Sequence, residues 1–316
     1  MNEADIISFI GNKFAAKNKN IIVGFGDDTF CFKSGGKVLA VTKDMLVENT
    51  HFKTAWSTPF EIGYKAVNVN ISDLASMGSV MPLYILVGLG IPKNTKQSYI
   101  KGIATGIQKA CKEYGCIVAG GDTVRAEKIT ISVTAVGECL SSPITRRGAK
   151  AGDLIFVTGT LGDSAAGLQL LQDNKKSGHK YLLSRHKAPK ARLKEGAAIA
   201  KCNPSAMMDI SDGLHESLKI MSATNNLGFS ITAERLPLSK EFLKYCKINK
   251  IDPYALAISG GEDFELLFTI SKANAKPLQA AIKGITCIGE VIKDEDIRYL
   301  FNGKETKVKH TGFNHF

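Results

Sequence analysis

Acidic residues recur in this sequence where short apolar runs end in glycine or in a tight turn. The stretch "SAMMDISDGL" carries Asp209 and Asp212 directly after an apolar run that ends at Met208. The same pattern occurs in "VGFGDDTF", "VLAVTKDML", "CIVAGGDTV" and "AISGGEDFEL". A single Asp in such a place is common turn or helix-cap chemistry, and Asp212 could simply cap the helix that follows. So many carboxylates at strand ends instead indicate one shared site, because an acid beside an apolar core is costly without a partner.

The chemistry of these side chains predicts which ligand binds at the shared site. Clustered carboxylates repel one another and raise each other's pKa, and a divalent cation removes that conflict. All the candidate ligands are oxygen atoms with no Cys/His cluster beside them, which favours Mg²⁺, Ca²⁺ or Mn²⁺ over zinc. Mg²⁺ usually joins a few carboxylates to substrate phosphates, and glycines beside the acids let backbone N–H groups approach phosphate oxygens. The sequence has neither a P-loop nor a kinase-type glycine-rich loop, so a nucleotide would be bound by a different design.

The elements that would carry these acids are strands and helices mixed in both halves of the chain. Runs such as "KVLAVT" and "KITISVTAVG" predict strands in the first half, and "LIFVTG" begins the second half with another. A helix is predicted to begin after Thr58 as N-cap, with Pro59 in its first turn, and Asp73 lies inside that helix. Because strands and helices do not alternate regularly, the predicted fold class is α+β with two mixed α/β domains. The polar, turn-rich segment "SSPITRRGAKAGD" marks the boundary between a domain at 1–140 and one at 141–316.

The composition narrows the class of protein further. The chain has 316 residues, a formal net charge of +11 and 44% hydrophobic residues, which is typical of a globular protein. No apolar run approaches the roughly 18 residues of a membrane span, and the N-terminus does not look like a signal peptide. The lysines are spread without aromatic residues between them, so we expect a solvated surface and no nucleic-acid partner. Seven scattered cysteines indicate reduced thiols and a cytoplasmic protein.

The acidic motifs, taken in order, resemble those of one known family. "GFGDD", "VTKDMLVENTHF", "NVNISDLASMG", "GGDT", "TGTLGDSAAGL", "MMDISDGL", "SGGEDFELLF" and "GFNHF" are similar to the motifs of the thiamine-monophosphate kinases, which belong to the aminoimidazole-ribonucleotide-synthetase-like superfamily. The resemblance implies phosphorylation of thiamine monophosphate by ATP to give thiamine diphosphate, with several Mg²⁺ ions. It also implies an N-terminal ATP-binding domain that forms a homodimer through its strands, and a C-terminal α/β domain.

The resemblance also implies roles for individual residues, carried over by motif. The implied magnesium ligands are Asp28, Thr42, Asp44, Asp73, Asp122, Asp209 and Asp212. The implied ATP contacts are Gly121, Asp122, Arg146 and Ser211. The implied contacts to thiamine monophosphate are His51, Glu262 and Phe313. Two positions depart from the family pattern, because Lys43 stands where Thr is common and Asn314 stands where Asp is common.

Two other interpretations remain open from the sequence. One is another ATP-using enzyme of the same superfamily, such as selenophosphate synthetase, although the segment "MNEADIISFIGNKF" lacks the reactive Cys or selenocysteine expected there. The other is a non-catalytic protein that binds metal ions or nucleotides. For the kinase, no catalytic base is expected, because a phosphate monoester with a second pKa of about 6 is already mostly dianionic at neutral pH. His51 is the only histidine within an acid-bearing motif and is therefore the rival candidate for a base.

Overall fold

The computed structural model describes residues 18–175 and 177–306, together with residues 6, 9–11 and 13. The chain forms two β-sheets with helices packed against them, so the predicted α+β fold with two mixed α/β units is confirmed. The last strand of the first sheet ends at Cys139 and the first strand of the second sheet begins at Leu154. The division into domains at residue 140 stays a prediction. Within the described residues, no helix is long and apolar enough to cross a membrane.

The first sheet has six strands in the order β1-β2-β3-β6-β4-β5. All neighbours pair antiparallel except β4 and β5, which run parallel. The strands are β1 Ile21–Val23, β2 Phe30–Ser34, β3 Lys37–Val47, β4 Val80–Ile91, β5 Ile117–Arg125 and β6 Thr130–Cys139. Along β3 the side chains alternate between the covered and the open face of the sheet, because successive residues of a strand point to opposite sides. Ala40, Thr42 and Leu46 are buried, whereas Lys43 and Met45 are exposed.

Two helices cover the inner face of this sheet, α1 Pro59–Ser76 and α2 Gln97–Tyr114. Helix α1 begins as predicted, because Thr58 and Glu61 form a capping box and Pro59 occupies the first turn. The helices approach closely at glycines of both partners. A Cβ at Gly106 would lie 2.0 Å from the carbonyl oxygen of Phe60, and one at Gly63 would lie 2.1 Å from that of Ile103.

We expect Gly106→Ala to destabilise the protein by about 2 kcal/mol or more, although alanine is the better helix former. The added methyl group would meet backbone of α1 that cannot move without separating the helices. Urea denaturation measures the effect. Thr105→Ala, one residue earlier on the exposed face of α2, is the matched control and should stay within about 0.5 kcal/mol of the parent. Equal stability of Gly106→Ala and the parent would contradict this close packing.

The second sheet has seven strands in the order β13-β12-β9-β11-β7-β10-β8. Its neighbours pair antiparallel except β9 and β12, which are parallel. The strands are β7 Leu154–Thr158, β8 Ala206–Ile210, β9 Gly228–Thr232, β10 Glu265–Ile270, β11 Ile285–Ile292, β12 Ile297–Phe301 and β13 Lys304–Glu305. The helices are α3 Asp163–Gln172, α4 Lys180–Lys187, α5 Leu193–Ala200, α6 Leu214–Asn225, α7 Lys240–Asn249, α8 Pro253–Ser259 and α9 Lys272–Ala281.

Helix α1 joins the two halves of the molecule. Its inner side packs against β3 and β6 of the first sheet, and it also contacts α5 and β8 of the second half. Ala75 belongs to a buried cluster with Phe156, Met207 and Phe268 of the second sheet. This packing brings the C-terminal end of β8, with its acids, against α1.

Candidate functional site

Carboxylates from both halves of the chain converge around helix α1. Asp28 follows β1, Asp44 lies on β3, Asp73 lies on α1, and Asp209 lies near the end of β8. The Thr42 hydroxyl donates a hydrogen bond to Asp73. A second hydrogen bond joins residues far apart in sequence, since Ser72 Oγ donates to Asp209 Oδ2 at 2.6 Å. These residues form the acidic centre, defined here as Asp28, Thr42, Asp44, Asp73 and Asp209.

The carboxylates of the acidic centre repel one another. Burial, followed by the nearby charges of Asp212 and Asp28, raises the pKa of Asp44 to about 6. Burial, followed by the charges of Asp44 and Asp209, raises the pKa of Asp73 well above its usual range. Burial and then the charge of Asp28 do the same for Asp209, although its hydrogen bond with Ser72 acts in the other direction. Such a group of carboxylates is stabilised by a bound cation.

Arg146 offsets part of the negative charge of the acidic centre. Its guanidinium pairs with Asp28, and its Nε lies 3.7 Å from Asp27 Oδ1. Burial and the charge of Asp28 raise the pKa of Asp27 to about 6, against the opposing effect of Arg146. Even so, the second carboxylate oxygen of Asp28 is buried and has no hydrogen-bond partner among the described residues. A buried oxygen of this kind is where a cation would bind.

The acidic centre fits Mg²⁺ by the chemistry of its donors, which are all oxygen atoms. No group of three or more His, Cys, Asp and Glu residues within 18–175 and 177–306 is arranged to hold a metal ion by itself. Mg²⁺ usually keeps waters or phosphate oxygens among its ligands, so a closed protein cage is not required. The unpartnered oxygen of Asp28 and the repulsion among the carboxylates are the observations that favour a cation here.

The loop after β8 brings two more predicted residues to this region. Ser211 and Asp212 line a cavity of about 800 Å³ together with Asp44, His51, Trp56 and Glu262. Helix α6 begins after Gly213 and has no side-chain cap, so the alternative that Asp212 caps this helix is wrong. The charge of Asp212 instead raises the pKa of Asp44 across the cavity wall.

The two predicted thiamine contacts that the structure describes both line this cavity. His51 Nδ1 accepts a hydrogen bond from the backbone N–H of Val47 at 3.0 Å. Glu262 is bound on both carboxylate oxygens, by Lys65 Nζ at 2.8 Å and by His186 Nδ1 at 3.1 Å. The third predicted contact, Phe313, and the divergent Asn314 lie outside the described residues.

Gly121 and Asp122 are the predicted residues that a single chain does not bring to the acidic centre. They lie on β5, the exposed edge strand, and Asp122 shares a row with Gly88, Ser132 and Met45 on the open face of the sheet. Asp44 points to the covered face. Three strand spacings separate β5 from β3, or about 14 Å. Lys43 also lies on the open face, where it donates to Ser132, and so leaves the acidic centre untouched.

Sequence reasoning missed Lys65 and His186. Lys65 stands in the run "EIGYKAVNVN" of α1, where every residue from Ile62 to Ser72 is buried. A lysine inside such a buried run is a signal that sequence could have given, because a buried ammonium needs a specific partner. His186 carries no comparable signal, since "SRHKAPKAR" is typical of an exposed basic helix end.

Comparison with known proteins gives the class first. Residues 26–139 match the family model described as AIR synthase related protein, N-terminal domain, and residues 150–301 match the model of the C-terminal domain. Hydrogenase maturation protein HypE, solved in complex with ATP, has the same fold at a TM-score of 0.73 and 17% identity, with 86% of this chain and 85% of that chain covered. The chain is thus an AIR synthase related protein.

Closer relatives define the family within that class. A thiamine-monophosphate kinase from Aquifex aeolicus is 38% identical over 92% of both chains. One from Buchnera aphidicola subsp. Schizaphis graminum is 38% identical over 100% of this chain and 99% of its own. A solved structure of AaThiL complexed with AMPPCP and TMP matches with a TM-score of 0.89 at 36% identity, covering 100% of this chain and 97% of that chain. The chain belongs to the thiamine-monophosphate kinase family.

Proposed function

We propose that this protein transfers the γ-phosphoryl group of ATP to thiamine monophosphate, giving ADP and thiamine diphosphate. The observation that carries the proposal is the cavity. Its wall contains both acids that are proposed to bind metal ions and the two residues that are proposed to contact thiamine monophosphate. Asp44 and Asp212 lie on the same wall as His51 and Glu262. A volume of about 800 Å³ suits a phosphorylated two-ring substrate. The solved relative with AMPPCP and TMP bound supports the same pair of substrates.

The reaction needs positioning and charge neutralisation rather than proton removal. A terminal oxygen of the acceptor phosphate attacks the γ-phosphorus, and the bond from that phosphorus to the β–γ bridging oxygen breaks as ADP leaves. The acceptor is already dianionic near neutral pH, so no side chain has a proton to remove. The difficulty is the approach of two anions, which the residues of the cavity must hold in line.

The proposed metal ligands are the carboxylates of the acidic centre with Thr42, together with Asp212 and Asp122. Bound Mg²⁺ would neutralise phosphate charge in the ground state and in the transition state. The unpartnered oxygen of Asp28 and the raised pKa of Asp73 support a cation at this position. Arg146, beside Asp28, and Ser211, on the cavity wall, are the proposed ATP contacts with Gly121 and Asp122.

The protein is proposed to act as a homodimer through the open face and edge of the first sheet. That face exposes a group of large apolar side chains, and an exposed apolar patch of this kind marks an interaction surface. Strand β5 is exposed at every residue, which leaves an edge with unpaired backbone groups. The exposed apolar residues of this face are Met45, Met81, Tyr84, Leu86, Ile117 and Val124. A second copy at the β5 edge is the proposed route by which Asp122 reaches an acidic centre.

A cytoplasmic location is proposed from the cysteines. All seven lie in the described part of the chain and are free thiols. Reduced thiols are typical of proteins that work in the cytosol.

The proposed reaction is tested by measuring ADP and thiamine diphosphate with ATP, thiamine monophosphate and Mg²⁺ supplied together and with each one omitted. We expect ADP only when all three are present, with one thiamine diphosphate formed per ADP. ATP hydrolysis that is indifferent to the thiamine substrate would indicate another enzyme of the superfamily. Nucleotide binding without turnover would indicate a non-catalytic binding protein.

We expect His51→Ala to raise the KM for thiamine monophosphate and to leave kcat within about threefold of the parent. Because His51 Nδ1 accepts from Val47, the neutral ring carries its proton on Nε2. The acidic limb of the pH–kcat profile, with an apparent pKa of about 6 from the acceptor phosphate, should persist in the variant. Loss of that limb together with a 10²–10⁴-fold lower kcat, roughly the contribution of a general base, would make His51 the base instead.

A further inference from the structure

Lys65 is buried at the junction of the two halves of the molecule. Its side chain extends from α1 and is 3% exposed. The Nζ atom lies 2.8 Å from Glu262 Oε1 and 3.4 Å from the backbone carbonyl oxygen of His51. An ammonium group so poorly hydrated is retained only with partners of this kind. One lysine therefore contacts both of the described residues that are proposed to bind thiamine monophosphate.

The other oxygen of Glu262 is held from the C-terminal half. His186 Nδ1, on α4, lies 3.1 Å from Glu262 Oε2 and 3.1 Å from Ser164 Oγ. Burial lowers the pKa of His186, so the imidazole is neutral and donates to the carboxylate. Burial opposes the charge of Glu262, but Lys65 and then His186 outweigh it and hold the pKa of Glu262 well below its usual range. Lys65 is thus the counter-ion of Glu262, and His186 donates a hydrogen bond to the other oxygen of the same carboxylate.

The backbone that carries Glu262 is strained and anchored separately. Glu262 and Phe264 have φ values of 63° and 51°, in the left-handed region that costs a non-glycine residue about 1 kcal/mol. Asp263 between them accepts hydrogen bonds from the backbone N–H groups of Gly162 at 2.7 Å and Ser164 at 3.2 Å. These bonds fix the loop through Asp263. They do not determine where the Glu262 carboxylate points, which depends on Lys65 and His186.

We propose that Lys65 is a positioning residue for substrate binding, whose ammonium fixes the Glu262 carboxylate and the His51 backbone where both residues contact thiamine monophosphate. This inference rests on the proposed function. The ion pair with Lys65 also determines which interaction Glu262 makes with the substrate. Since Lys65 neutralises its charge, Glu262 acts as an oriented hydrogen-bond acceptor rather than as a free negative charge for the thiazolium ring. A carboxylate bound once at each oxygen keeps lone pairs for a ligand.

Steady-state kinetics of Lys65→Met, Glu262→Gln and the double variant test this proposal. Methionine keeps the length of the side chain and removes the charge. We expect Lys65→Met to raise the KM for thiamine monophosphate about 10- to 100-fold, the range for a lost charged hydrogen bond. The KM for ATP and kcat should stay within about threefold of the parent. Because Lys65 acts through Glu262, the double variant should bind thiamine monophosphate no more weakly than Glu262→Gln alone.

Lys187→Met is the matched control, since Lys187 Nζ pairs with Glu61 at 2.7 Å across the same α1–α4 contact but does not touch Glu262. It should leave both KM values unchanged. Unchanged thiamine affinity in Lys65→Met, or effects of Lys65→Met and Glu262→Gln that multiply in the double variant, would overturn the proposal. If Lys65→Met does not fold, Lys65→Gln takes its place with the same outcomes. Failure of the proposed function itself is distinguishable, because the parent enzyme would then not turn over thiamine monophosphate.

Discussion

Asp73→Asn is expected to lower kcat by about 10²-fold or more at saturating Mg²⁺, while the metal-free protein becomes more stable. Asparagine keeps the size of the side chain and can still accept the hydrogen bond from Thr42. It removes one negative charge from a buried group in which Asp44, Asp209 and Asp28 all raise the pKa of Asp73. The same charge that destabilises the metal-free protein is the one proposed to bind the cation during phosphoryl transfer.

Two measurements check this prediction, kcat with excess Mg²⁺ and the thermal midpoint in the presence of a chelator. Asp173→Asn is the matched control, because Asp173 is half exposed and pairs with Lys175 on the surface. It should change neither quantity. If Asp73 served only as an acceptor for Thr42, Asp73→Asn would keep both activity and stability close to those of the parent. A less stable metal-free variant with full activity would remove the acidic centre from the mechanism.

Sequence predicted the elements that follow from local rules. The start of α1 could be read from Thr58, Pro59 and Glu61, because capping depends on residues within one turn. The acids could be recognised from their glycine and apolar neighbours, but the prediction that all of them lie at strand ends is wrong, because Asp44 and Asp122 lie inside β3 and β5. The convergence of the acids on one site could be predicted, but the residues that contact them there could not. Ser72, for example, donates a hydrogen bond to Asp209 across 137 residues of chain. No local pattern encodes such a contact, which depends on how the two sheets pack against α1.

The positions that sequence left open or did not identify share that dependence on packing. Asp212 has the spacing of a helix cap, yet α6 begins after Gly213 and Asp212 faces the cavity instead. The run around Lys65 could have indicated its burial, but its partner Glu262, on a distant loop, depends on how the two halves pack. Asp122 follows two glycines and is predicted to end a strand, but it lies inside β5, which the order of the strands puts at the far edge of the sheet.

The position of Asp122 leads to a second prediction with a large effect on activity. Within one chain, Asp122 and Asp44 lie on opposite faces of the sheet and about 14 Å apart. They could not bind the same metal ion and phosphates without unfolding the sheet between them. If Asp122 is a ligand, as its motif predicts, it must serve the acidic centre of the partner in the proposed homodimer. The exposed β5 edge and the apolar open face are where that partner would dock.

Mixing two inactive variants, Asp44→Asn and Asp122→Asn, is therefore expected to restore activity. In a mixed dimer, one site contains both substitutions and the other contains neither. Random exchange of subunits gives mixed dimers in half of the molecules, so the mixture should reach about a quarter of the parent activity. Each variant alone should stay about 10²-fold or more below the parent. The measurement is ADP formation after the two proteins are unfolded together and refolded.

The matched control mixes Asp44→Asn with Asp73→Asn, two acids that meet within one chain. Every site in that mixed dimer keeps one substitution, so activity should not return. Recovery in the first mixture and none in the second can arise only if Asp122 crosses to the partner while Asp44 and Asp73 act together. If neither mixture recovers although mixed dimers are present, Asp122 acts in its own chain or not at all, and the β5 edge would then have to move toward β3. If the chain does not dimerise, Asp122 has no route to an acidic centre and its assignment as a metal ligand is wrong.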